Sequence, residues 1–161
     1  MDVEQRPAGP APAGKLIEKV AWIRPANGRV LTARTHDRPA FYLPGGKPEA
    51  GESREEALVR EITEELGVTL DPATIAHAVT VEAAADGKAA GTVVRMVCFT
   101  AEGTGTPAPG GEIAEVAWLG PEDRDRVSAA TAMVLDELVA AGLLPRAEER
   151  HHWAEGPRTA P

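Results

Sequence analysis

Apolar and polar positions along the chain fall into short alternating runs and two longer helical ones. Lys15 to Arg24 (KLIEKVAWIR) has the alternation of a strand, and Gly28 to Arg34 (GRVLTAR) resumes it after the turn sequence Pro25-Ala26-Asn27-Gly28. Together the two runs predict a hairpin. Ala40 to Leu43 predicts a short strand running into Pro44-Gly45-Gly46, a strong break. From Ser53 to Leu66 the period becomes helical, and Leu58, Val59, Ile62 and Leu66 share an arc of roughly 100°. Ser53 with Glu56 three residues later is a capping box, and Gly67 is a natural stop. Strands follow near His77 to Ala83 and Thr92 to Ala101, with a turn at Asp86-Gly87-Lys88 between them. Gly103 to Gly111 (GTGTPAPGG) predicts a flexible loop, and Glu115 to Leu119 a further strand. Ser128 to Ala141 predicts a second helix, with Val134, Leu135, Leu138 and Val139 on one side and Gly142 as its stop.

The strands do not alternate regularly with helices, which argues against a doubly wound parallel sheet. The expected class is α/β of the α+β type: a mixed sheet between helices. Residues 1–14 and 146–161 are polar, rich in proline, and lack a period, so they are expected as tails around one domain at 15–145.

Composition narrows the function. With 161 residues, 43% of them hydrophobic, the chain suits one domain with a real core. A formal net charge of −8 argues against gripping duplex DNA through its phosphates. It leaves room for a small phosphorylated substrate, because bound metal ions reverse the local sign. Cys98 is the single cysteine; it lies in an apolar strand, where a buried, inert thiol is expected. His151-His152 lies in the C-terminal tail without obvious further metal ligands. The start lacks the apolar stretch of a secretory signal, and no run of about eighteen apolar residues occurs. A cytoplasmic protein without a membrane span is the expectation.

The chemistry lies in Gly46 to Val68, GKPEAGESREEALVREITEELGV. Glu61, Glu64 and Glu65 share an arc of roughly 100° beside the apolar face of the helix. Like charges at this spacing repel by a few tenths of a kcal/mol per pair, roughly. Crowded carboxylates suit a hard divalent cation such as magnesium, or manganese in its place. Arg60 offsets part of the charge and reaches back toward the loop carrying Glu52. Gly45 and Gly46 allow close backbone approach, and the helix start favours anions. A metal cluster beside a phosphate-compatible backbone suits phosphoryl chemistry. The plain alternative is a solvated acidic helix face, which charge alone would favour.

The segment resembles the Nudix box, G-x5-E-x7-R-E-U-x-E-E-x-G-U with U a bulky aliphatic. It matches at Gly46, Glu52, Arg60, Glu61, Ile62, Glu64, Glu65, Gly67 and Val68. A chance match in such a chain is on the order of one in a million, which reverses the balance against the plain alternative. The surrounding order of elements resembles the Nudix fold from about Lys15 to Leu144, an α/β/α sandwich. The resemblance implies a divalent-metal-dependent hydrolase of a phosphoric anhydride bond in a nucleoside diphosphate derivative, with a lean toward nucleoside triphosphate pyrophosphohydrolysis. It implies magnesium ions held by Glu61, Glu64 and Glu65, with the Gly45 carbonyl as a further ligand. It implies that Arg60 orients a glutamate by a salt bridge and that Glu52 supports the site. The general base varies in the family; Glu64 is the first choice within the box and Glu112 the best candidate outside it. Glu112 and Glu115 are more readily surface residues than catalytic ones. Arg34, near the box, is a phosphate contact or a plain surface arginine. Trp22, Phe41, Tyr42 and Trp118 are expected in the core rather than stacked on a base. The resemblance allows a homodimer. Two other functions stand beside this one: a catalytically inactive Nudix-fold nucleotide-binding or sensor module, and an RNA 5′-pyrophosphohydrolase, against which the acidic balance counts.

Overall fold

The computed structural model of the chain describes residues 15–85 and 88–146. In chain order the elements are β1 (Leu16–Trp22), β2 (Pro25–Ala26), β3 (Arg29–Thr35), β4 (Gly45–Gly46), α1 (Arg54–Leu66), β5 (Thr69–Leu70), β6 (Ala76–Ala84), β7 (Val93–Thr100), β8 (Gly103–Thr104), β9 (Ile113–Leu119) and α2 (Ala129–Ala140). The main sheet has the order β4-β1-β7-β6. β1 runs parallel to β7, while β4 and β6 are antiparallel to their neighbours, so the sheet is mixed as expected. A second, antiparallel sheet has the order β2-β3-β9, and β5 pairs with β8.

Alternation along the central strands divides the core in two. Val20 and Trp22 of β1, with Val97 and Phe99 of β7, pack with Leu58, Ile62 and Leu66 of α1. The intervening residues Ala21, Met96 and Cys98 pack with Val134, Leu135 and Leu138 of α2. The sheet is thus sandwiched between helices. Both helices start at a serine. Ser53 and Glu56 form the expected capping box, and Ser128 accepts a hydrogen bond from the Thr131 N–H. Gly67 closes α1 in the left-handed conformation, φ +70°. Cys98 is buried, and burial pushes its thiol pKa up to about 12, so it is inert. Among the described residues no helix is long and apolar enough to cross a membrane.

Three expectations are corrected. Lys15–Arg24 and Gly28–Arg34 do not form a hairpin with each other. Both edges of β1 are taken by β4 and β7, and β3 joins the second sheet beside β9. The tight hairpin is β2–β3, closed by Asn27 and Gly28 at φ +53° and +77°. Ala40–Leu43 is not a strand: Phe41 and Tyr42 make isolated bridges to Val127 and Ala33, and the strand forms at the expected break, Gly45–Gly46. Gly45, at φ +151°, lies so close to β1 that a Cβ there would overlap the Val20 carbonyl oxygen, so only glycine allows the pairing. The 103–111 segment is not a free loop. It begins with β8, and the Ala108 and Gly110 N–H groups donate to Leu66 and Glu65 carbonyls at 3.1 and 2.8 Å, satisfying the end of α1. The N-terminal tail, Asp86-Gly87 and His151-His152 lie outside the described residues.

Candidate active site

β4 delivers two glycines against the acidic strip of α1. The Gly45 N–H donates to Glu65 Oε1 at 3.1 Å. A Cβ on Gly46 would collide with the Glu61 carboxyl, so the missing side chain is the space that carboxyl fills. The Glu61 and Glu65 carboxyls lie one turn apart on the helix and act on each other's ionisation. Burial, then the neighbouring Glu61 charge, push the Glu65 pKa up to about 8 against the lowering effect of the Gly45 N–H. Burial also raises Glu61, partly offset by Arg60.

Arg60 ties the rest together. Its Nε and one terminal nitrogen donate to the two Glu52 oxygens at 2.7 and 2.9 Å, a bidentate pair. The other terminal nitrogen reaches Glu61 at 3.2 Å and Glu64 at 3.4 Å. The Lys47 carbonyl accepts a further bond at 3.3 Å. Arg60, with the Glu49 N–H, holds the Glu52 carboxyl down to about 2, and Glu52 in turn raises Arg60. Glu61 is 17% exposed and Glu64 58% exposed, so the strip grades from a shielded pair to a carboxylate in water. Among the described residues, no three acidic, histidine or cysteine side chains already converge as a closed ligand set. The site offers a shielded carboxyl pair and one outlying carboxylate.

On the other side of β4 lies a cavity of about 300 Å³. Gly45 and Gly46 form part of its wall, facing Tyr42, Lys19, Arg38 and Lys88, with Glu112 at its edge. An open groove continues from it past Lys47 and Lys88 to Lys15.

A sequence model of the NUDIX domain matches residues 18–140. The chain belongs to the Nudix family. A short stretch of 61 residues is 44% identical to the CTP pyrophosphohydrolase of Escherichia coli, covering 34% of this chain and 43% of that one. Another, of 39 residues, is 51% identical to a Bacillus subtilis protein provisionally named 8-oxo-dGTP diphosphatase, covering 24% of this chain and 26% of the other. These curated relatives are thus matched over less than half of their length. The likeness to solved structures is broader. The solution structure of the E. coli ORF135 protein superposes with TM-score 0.65 at 27% identity, covering 83% of this chain and 96% of that one. The MutT protein of Methanosarcina mazei superposes with TM-score 0.66 at 21% identity, covering 82% and 99%, which speaks for the fold.

The structure brings the Nudix-box residues Glu52, Arg60, Glu61, Glu64 and Glu65 into one hydrogen-bonded group beside Gly45 and Gly46. What Gly45 presents to Glu65 is its N–H. Arg34 sits elsewhere: it ion-pairs with Glu115 across β3 and β9 at 3.2 Å and lies over the Phe41 ring. Trp22, Phe41 and Trp118 are buried, whereas Tyr42 is half-buried and lines the cavity. Lys19, Arg38 and Lys88 were invisible as site residues in the sequence. They come from separate segments with no motif spacing, and only the tertiary fold joins them.

Proposed function

We propose that this Nudix protein hydrolyses a phosphoric anhydride bond in a nucleoside diphosphate derivative, with a divalent cation held by Glu61, Glu64 and Glu65. The favoured substrate in this reading is a nucleoside triphosphate, released as monophosphate and pyrophosphate. The observation that carries the reading is the shielded Glu61–Glu65 pair pressed against Gly46. Two carboxyls that meet in a half-buried place need a proton or a cation between them. An all-oxygen donor set suits magnesium or manganese. When bound, such a cation supplies charge neutralisation at the phosphate oxygens and acidifies water.

The chain's own residues supply the positioning. Arg60 fixes Glu52 and steadies Glu61 and Glu64, limiting the arrangements the strip can take. Glu64, the most exposed of the three, accepts the proton of the attacking water in this reading; Glu112 at the cavity edge is the alternative base. The lean toward triphosphates draws support from the local likeness to a CTP pyrophosphohydrolase and to the protein provisionally named 8-oxo-dGTP diphosphatase.

The test is a release assay with coupled pyrophosphatase or phosphatase. The panel holds nucleoside triphosphates (CTP and 8-oxo-dGTP among them), nucleotide sugars and dinucleoside polyphosphates, each with magnesium and with chelator. Metal-dependent release of pyrophosphate is expected. Nucleotide binding without turnover on any substrate would instead make the protein a binding module.

A further inference from the structure

The two ends of the main sheet are built differently. β4, at one end, is two residues long, whereas β6, at the other, is nine. The inner edge of β6 pairs with β7, and among the described residues no backbone group pairs with its outer edge. An open edge is a template for another strand, and proteins blunt it with lysine, proline, a bulge or short length. β6 (AHAVTVEAA) contains no lysine, arginine or proline, and every residue in it except Val81 is exposed or half-buried. The one blunting device is a bulge between His77 and Val79, near its start. Both ionisable side chains of the strand are engaged within the chain. Glu82 accepts from Arg95 Nε at 2.8 Å, and His77 Nε2 lies 2.8 Å from the Thr80 hydroxyl.

The residue pattern along β6 is complementary to itself. Val79, Val81 and Ala83 lie opposite Cys98, Met96 and Val94 of β7 and extend the core under α2. His77, Thr80 and Glu82 lie opposite Phe99, Val97 and Arg95, on the α1 side. A two-fold axis through Thr80, perpendicular to the sheet, sets a second β6 antiparallel to the first. In the register that β7 imposes, Val81 then falls opposite Val79 of the second copy, Ala83 opposite its Ala76, and Glu82 opposite its His77. Each of these pairs occurs twice. Small and β-branched residues meet on the α2 side, carboxylate meets imidazole on the α1 side, and no like charges face each other. Val79 and Ala83, half-buried in one copy, gain cover from the other. Pairing of this kind is isologous and closes at two copies.

We propose that β6 is the interface of a homodimer, in which two copies pair antiparallel about Thr80 and continue one four-stranded sheet into the other. The interface lies at the end of the sheet away from β4 and the glutamates, so it stands independently of the hydrolytic reading.

The experiment is sedimentation equilibrium of the full chain, joined to a disulfide trap. Wild type sediments at twice the monomer mass and dissociates on dilution. Thr80→Lys sets two ammonium groups against each other on the axis and raises the dissociation constant roughly a hundredfold or more, with the circular dichroism unchanged. Thr80→Cys, oxidised with diamide, forms a disulfide-linked dimer, because directly opposed strand residues have Cα atoms about 4.5–5.5 Å apart, within disulfide reach. Cys98 is buried and does not compete. Glu55→Cys, at an exposed position of α1, is the unlinked control. A wild type that stays monomeric at the highest concentration reached overturns the proposal. So does a dimer undisturbed by Thr80→Lys, or a Thr80→Cys protein that links no faster than Glu55→Cys.

Discussion

α1 and α2 lie on opposite sides of one sheet, are 13 and 12 residues long, and begin with serine caps of the same kind. They spend their surfaces differently. α2 buries Ala130, Thr131, Ala132, Val134, Leu135 and Leu138, and its Asp136 pairs with Arg124 in solvent. α1 buries only Ala57, Leu58, Ile62 and Leu66, and gives the adjoining strip to three glutamates. A helix needed only to cover a sheet gains nothing from carboxylates pushed together against a backbone glycine. The contrast separates a helix that holds the fold from one that, in the proposed reading, holds the fold and a site.

The contrast breaks or sharpens under substitution. The largest effect is expected at the strip: Glu64→Gln or Glu65→Gln lowers turnover by orders of magnitude while the melting temperature stays near wild type. Near wild-type rates in both variants would return α1 to a purely structural role. On the other helix the outcome is reversed. Leu135→Ala in the α2 core costs about 2–5 kcal/mol in denaturant unfolding, with kcat of the folded fraction retained. Gly46→Ala lies between the two, because the added methyl displaces the Glu61 carboxyl. It lowers kcat roughly a hundredfold, as expected for a misplaced reacting group, with a smaller change in stability than Leu135→Ala. The smallest effect is at Glu52. Arg60 lowers its folded-state pKa from 4.5 to about 2, so the pair contributes stability above pH 4.5 and loses it as pH falls toward 2. Glu52→Gln is therefore less stable than wild type at neutral pH, and acid titration closes the gap across that window.

Much of this was legible in the chain because it is local. The limits of α1, its capping box and its Gly67 stop follow from residues three or four positions apart, as does the acidic strip. The mixed sheet also followed from the order of the elements. What the sequence did not reveal depends on long-range pairing. Nothing local tells β1 to choose β7 and β4 over its neighbour β3. Gly45-Gly46 looks like a break, yet its lack of side chains is what admits it beside β1 and leaves room for Glu61. The 103–111 segment has loop composition, and its hydrogen bonds to the end of α1 come from tertiary position. The cavity behind β4 is the extreme case, since Lys19, Arg38 and Lys88 on its wall share no spacing at all.

The most direct test of the acidic strip as a cation site is a manganese titration of the metal-free protein, followed by loss of the free-ion electron paramagnetic resonance signal. Wild type is compared with the Glu61→Gln/Glu65→Gln double variant at equal folded concentration. Saturable binding in wild type that is lost in the variant, with an unchanged melting temperature, is the predicted result. Equal binding in both, or none in either, would contradict the account.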